Sequence, residues 1–72
     1  MEFYNNQNIF IKFDPDTYTV TEVFNTDTQK RVSITTDRKI YTETKERTVK
    51  HYFTPITEIE FNNAYFGLIN NL

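Results

Sequence analysis

Pro55 separates two apolar periodicities in this 72-residue chain. Upstream, apolar residues tend to alternate with polar ones, as on a strand with one buried face. Downstream they recur every three or four residues, as along one side of a helix. Pro disfavours helical geometry at the residue before it, so Thr54 marks the boundary. The pattern predicts an α+β domain: a small antiparallel sheet of four to five strands, wound as a meander, with one C-terminal helix packed on one face. A small β-barrel with a terminal helix is the alternative.

Within the first part, Asn8 to Phe13 alternates, with Ile9, Ile11 and Phe13 on one side. Asp14-Pro15-Asp16-Thr17 follows, and Asp then Pro suits a type I turn. Tyr18 to Phe24 alternates again, so Phe13 is expected opposite Tyr18 and Ile11 opposite Val20. Asn25 to Lys30 reads as a polar loop and Arg31 to Thr36 as a third strand, with Asp37-Arg38 a turn or bulge. Lys39 to Glu43 and Thr48 to Phe53 read as a second hairpin across Thr44-Lys45-Glu46-Arg47. That turn has neither Gly nor Asn, which implies a four-residue loop. Met1 to Gln7 is an irregular arm or a short edge strand.

The helix start is marked several times over. Thr57 is a good N-cap, and Glu60 three residues on completes a capping box. Ile56 before the cap and Phe61 inside the helix form a hydrophobic staple. Glu58 and Glu60 suit the positive end of the helix dipole. Phe61, Tyr65, Leu68, Ile69 and Leu72 lie on one stripe, with Ala64 at its edge, while Gly67 is a point where the helix is expected to end early. The expected core is Ile9, Ile11, Phe13, Tyr18, Val20, Phe24, Val32, Ile34, Ile40, Val49, Phe53, Phe61, Tyr65, Leu68 and Ile69.

Seventy-two residues make a single domain, 1–72, with no cysteine to staple it. The absence of Cys suits a reducing compartment. No apolar run approaches the length of about 18 residues that crosses a bilayer. The opening Met1-Glu2-Phe3-Tyr4-Asn5-Asn6 lacks the basic-then-apolar profile of a secretory signal. The expected location is therefore cytoplasmic, in a bacterial host cell, or inside a viral particle. Asn, Lys, Ile, Phe and Tyr are abundant while Ala and Gly are each nearly absent, the usage of an A/T-rich genome such as that of a phage or mobile element.

Chemistry-bearing residues are few. The chain has one His and one Ser. His51 sits between Lys50 and Tyr52 with no local partner to orient it as a base, and Ser33 alternates with Val32 and Ile34. Asp14 and Asp16 are spaced like the start of a calcium loop, but the Gly and later Glu of such a loop are missing. No catalytic residue, metal ligand, cofactor or small-molecule ligand is inferred, and the chain is read as non-enzymatic.

Charge is uneven along the chain. Residues 1–28 carry Lys12 against Glu2, Asp14, Asp16, Glu22 and Asp27. Residues 29–51 carry Lys30, Arg31, Arg38, Lys39, Lys45, Arg47 and Lys50 against Asp37, Glu43 and Glu46. Lys39, Tyr41, Lys45, Arg47, Lys50 and Tyr52, on the hairpin 38–52, would interleave cations with rings, as single-stranded nucleic-acid binders do. The isoelectric point of about 5.2 is low for such a module.

One helix covers one face of a sheet, which leaves large apolar residues over. Phe10, Val23, Tyr41 and Tyr52 fall on the sheet's other face, and Ile59 and Phe66 on the far side of the helix. Contiguous exposed apolar patches mark interfaces. The leading functional expectation is a protein-interaction or assembly module, self-associating or docked on another protein through these six residues. It would serve as an accessory or host-modulating protein of a phage or mobile element. Single-stranded nucleic-acid binding through the basic stretch is the alternative.

Overall fold

The computed structural model describes residues 1–71. Five strands form one antiparallel sheet: β1 (Glu2–Asn6), β2 (Ile9–Asp14), β3 (Thr19–Asn25), β4 (Lys30–Thr35) and β5 (Thr54–Pro55), in the order β4-β3-β2-β1-β5. Two helices complete the chain, α1 (Lys39–Tyr52) between β4 and β5, and α2 (Glu58–Ile69) at the C-terminal end. The expected α+β class, the meander and the C-terminal helix packed on the sheet are all present.

The β2–β3 hairpin keeps its expected faces but pairs two residues further on, with Phe13 opposite Val20 and Ile11 opposite Glu22. The four-residue connection Pro15–Tyr18 is longer than the sequence suggested. It is held by the Asp16 amide donating to Asp14 Oδ1 at 3.0 Å. Tyr18 leaves this turn with φ 49°, in the left-handed region. Its carbonyl accepts from the Thr42 hydroxyl at 2.9 Å, which ties the turn to α1. Met1–Gln7 is no loose arm: β1 lies inside the sheet, between β2 and β5. Gln7 and Asn8 form a two-residue loop to β2, and Gln7 takes a left-handed φ of 53°.

The largest departure is residues 39–52, which form α1 instead of the greater part of a second hairpin. Alternation was a coincidence of Thr placement. Tyr41, Lys45 and Val49 also recur at helical spacing, and Glu46 sits one turn before Lys50, 3.9 Å away. Lys, Glu and Arg are good helix formers, and Thr44–Arg47 offers no residue that a tight turn needs. Lys50 and His51 occupy the last turn, where positive charge suits the helix dipole.

Strand alternation places Tyr4, Ile11, Phe13 and Val20 on one face of the sheet and Phe3, Phe10, Val23 and Val32 on the other. Each face has its own helix. Tyr4, Ile11, Phe13 and Val20 pack with Val49 of α1, joined by Ile9, Tyr41 and Phe53. On the opposite face Val23 packs with Phe61 and Leu68 of α2, joined by Phe3, Phe10, Val32, Ile56 and Tyr65. The domain is thus three layers, helix, sheet and helix, with two cores. Both faces are covered because the chain supplies a second helix.

Helix α2 starts as its sequence dictates. The Glu60 amide donates to Thr57 Oγ1 at 3.2 Å, and the Thr57 amide donates to Glu60 Oε1 at 3.1 Å, a complete capping box. Gly67 does not end the helix, which continues to Ile69. Leu72 lies outside the described residues. Three residues expected in the core are exposed instead: Ile34 (60%), Ile40 (80%) and Ile69 (40%). Ile34 stands on an edge strand, Ile40 on the outward side of α1, and Ile69 on the flank of α2.

Candidate assembly surface

The ionisable groups that the fold brings together fasten α1 to the sheet. Glu22, buried on β3, accepts from the Tyr41 hydroxyl at 3.3 Å and lies 3.4 Å from Lys45 Nζ. Further along the helix, Lys50 Nζ is 3.4 Å from Glu2 on β1 and 3.9 Å from Glu46. The Tyr4 hydroxyl donates to Glu2 Oε1 at 2.7 Å. Burial, together with the Glu2 carboxylate, raises the Tyr4 phenol to about 12. The Tyr4 hydroxyl in turn holds Glu2 below its ordinary value. Burial and the neighbouring charge of Glu2 push Glu46 up. These are clamps between layers.

The helical conformation of residues 39–52 scatters the six residues of the nucleic-acid reading. At 100° per residue, Tyr41, Lys45 and Tyr52 fall on one flank of α1, Lys39 and Lys50 on the other, and Arg47 between them on the outside. Lys45 and Lys50 are committed to Glu22 and Glu2, and Tyr41 is half-buried. What remains is an open groove of about 610 Å³ near the start of α1, bordered by Arg38, Lys39, Ile40, Tyr41 and Lys45. His51 is exposed, with its ring edge-on to Tyr52 at 4.6 Å. Among the described residues, no group of three or more His, Cys, Asp or Glu side chains is arranged to hold a metal ion.

The six residues expected at an interface divide three ways. Val23 is fully buried under α2, and Phe10 is half-buried beside it. Tyr41 belongs to the other core. Tyr52 (67%), Ile59 (71%) and Phe66 (54%) remain exposed. On α2 the inward stripe is Phe61, Tyr65 and Leu68, whereas Ile59 and Phe66 point away from the sheet. From Phe61 onward the sequence has no charged residue.

Helix α2 crosses the whole sheet. Its first turn follows β5, and Phe61 packs on Phe3 of β1 with ring centroids 5.7 Å apart. It touches β1, β2, β3 and also β4. A helix of 12 residues spans about 18 Å, enough to pass over three strand spacings. Its last turns, carrying Phe66 and Ile69, therefore lie on the β4 side, above the edge where Ile34 is exposed.

The two edges of the sheet differ. At β5, the Ile56 amide donates to the Phe3 carbonyl at 2.9 Å. Pairing alternates along the strand, so Pro55 faces outward, and Pro has no N–H to offer. At β4, the Thr26 amide donates to the Gln29 carbonyl at 2.8 Å. The same alternation turns the amides of Arg31, Ser33 and Thr35 toward β3 and those of Lys30, Val32 and Ile34 outward. The Asn25 amide, bonded to the Asn8 carbonyl at 2.9 Å, confirms the phase from the other side of β3. One edge is blunted and two residues long; the other is six residues long and open.

The sequence pointed to Phe66 and Ile59 but not to Ile34, which alternation assigned to the core. Its exposure follows from β4 being last in the sheet, a property of strand order and not of local pattern. No protein-family model, curated protein or solved structure matches this chain.

Proposed function

We propose that this chain is a non-enzymatic assembly module that acts by self-association. The observation that carries this reading is the open β4 edge, flanked by Ile34 and by the uncharged last turns of α2 with Phe66 and Ile69. Unpaired strand edges template pairing with another chain, and natural folds usually blunt them with short strands, Pro or inward-pointing charge. Here β5 is two residues long and ends in Pro, whereas β4 is six residues long, has no Pro, and carries charge only at its first two positions, Lys30 and Arg31. Apolar side chains beside the open edge would leave water on association, each contributing on the order of 1 kcal/mol. An accessory role in a phage or mobile element accords with the size and residue usage of the chain.

Light scattering across a concentration series tests the reading. The expected mass rises above the 8.7 kDa of one chain as concentration increases. A Phe66→Ser/Ile69→Ser variant should retain the fold and associate more weakly. A mass that stays at one chain throughout contradicts self-association.

The groove beside Arg38, Lys39 and Tyr41 favours a second reading, binding of single-stranded nucleic acid. Arg38 lies 5.6 Å from the centre of the Tyr41 ring, a cation and an aromatic side chain side by side. This reading expects retention of a labelled oligonucleotide at low salt that weakens steeply as salt rises. Absence of retention at low salt removes it.

A further inference from the structure

Resting on the reading of self-association, we infer that the partner at the open edge is a second copy of this chain. Its β4 runs antiparallel to the first about a two-fold axis through Ser33, so that two five-stranded sheets become one of ten.

The phase of the backbone hydrogen bonds limits the possibilities. Only residues whose amides point outward can form hydrogen-bonded pairs across the new contact, and these are Lys30, Val32 and Ile34. A two-fold axis perpendicular to the sheet keeps each copy's α1 face with the other's α1 face. Residues that pair must therefore lie on the same face. With Ser33 on the axis, Val32 of each copy stands opposite the second copy's Ile34, and the two pairs exchange four N–H···O=C bonds. Shifting the register by two residues one way puts Ile34 opposite Lys30. Shifting it the other way puts Val32 opposite Thr36. Ser33 on the axis is the register that matches apolar with apolar at both positions.

Charge agrees with this register. It places Lys30 opposite Thr36 of the second copy, next to its Asp37. Asp37 is exposed and makes no ion pair among the described residues. The cations that follow it are drawn to rings of their own chain, Arg38 to Tyr41 at 5.6 Å and Lys39 to Tyr18 at 5.9 Å. Arg31 rests on Phe24 at 4.2 Å, and it pairs with the second copy's Thr35, not with a like charge. The blunted β5 edge rules out head-to-tail addition, so pairing stops at two copies and closes. The axis also sets the two α2 helices on the same face, with their uncharged last turns flanking the new strand pair.

The chain has no cysteine, so a single introduced thiol reads the register directly. Facing Ser33 residues would form a non-hydrogen-bonded pair with Cα atoms about 4.5 Å apart, within disulfide reach. Ser33→Cys under mild oxidation should give a covalent dimer on a non-reducing gel. Thr35→Cys should not, because the two Thr35 positions lie about 13 Å apart in this register. Ile34→Pro deletes an outward N–H that the subunit does not use, so it should give a monomer with the secondary structure of the parent. A wild-type dimer in which Ser33→Cys stays unlinked, or Thr35→Cys links instead, overturns the strand pairing and leaves self-association standing. A wild-type chain that is monomeric at every concentration overturns both.

Discussion

Phe3 and Tyr4 are consecutive in the chain yet belong to different cores. The Phe3 ring packs on Phe61 under α2 at 5.7 Å, and the Tyr4 ring packs edge-on to Phe13 on the α1 side at 6.0 Å. β1 therefore joins both halves of the interior, and neither helix can be lost without exposing one full face of the sheet. A domain of this size has about 4–11 kcal/mol of stability in total. Removing a fully buried ring typically costs about 3–5 kcal/mol. Phe13→Ala and Phe61→Ala should each remove most of the stability, although they act on opposite faces. Phe66→Ser, five residues from Phe61 on the same helix, should change subunit stability by less than about 0.5 kcal/mol because its ring points outward. Urea unfolding at a fixed low concentration compares the three.

Gly67 is helical, exposed, and has nothing within 4 Å of where a Cβ would sit. Gly67→Ala should therefore stabilise the domain by about 0.5–1 kcal/mol, chiefly by limiting the unfolded chain. Thr57→Ala should cost about 1 kcal/mol by dismantling the capping box. The two changes bracket α2 and move the thermal midpoint in opposite directions.

Lys45 and Lys50 both reach carboxylates, but of different kinds. The Glu22 side chain is 9% exposed, against 38% for Glu2. Lys45→Ala leaves Glu22 buried with only Tyr41 as a partner and should cost about 1–3 kcal/mol. Lys50→Ala should cost less than about 1 kcal/mol, since water replaces it. Thermal unfolding of the two variants reads the difference.

The clamp at Glu2, Tyr4, Glu46 and Lys50 gives the domain a pH dependence. Tyr4 is raised by burial and by Glu2, so its contribution to stability is present below its ordinary value of 10.0 and is lost as pH rises through about 12. In Glu2→Gln, the late step in tyrosinate absorbance should move to lower pH. Glu46 is raised by burial and by the charge of Glu2, so its contribution is present in acid and is lost as pH climbs through the carboxylate range. Glu46→Gln should therefore gain stability over the parent at neutral pH, and the gain should shrink toward acid. Denaturant titrations at several pH values follow both effects.

The parts of the fold that local chemistry determines were legible in the sequence. The capping box at Thr57 and Glu60, the staple at Ile56 and Phe61, and the alternation of Ile9, Ile11 and Phe13 each have a mechanism confined to a few residues. Residues 39–52 were misread because their Thr-rich alternation and their Tyr41-Lys45-Val49 spacing fit two periods at once. The missing Gly or Asn in Thr44–Arg47 and the spacing of Glu46 with Lys50 were the available clues. Burial of Val23 and exposure of Ile34 follow from that misreading and from strand order. With α1 on the Ile11 and Phe13 face, α2 packs on the opposite face and covers Val23, and the end of the sheet exposes Ile34. Neither is written in the neighbours of those residues.

Solution mass tests the central claim most directly. Light scattering on the unmodified chain, carried from micromolar to near-millimolar concentration, should show a smooth rise from 8.7 kDa toward twice that value and no further. Ile34→Pro should stay at the lower limit throughout. An unmodified chain that holds the mass of one subunit across the whole range would contradict the account.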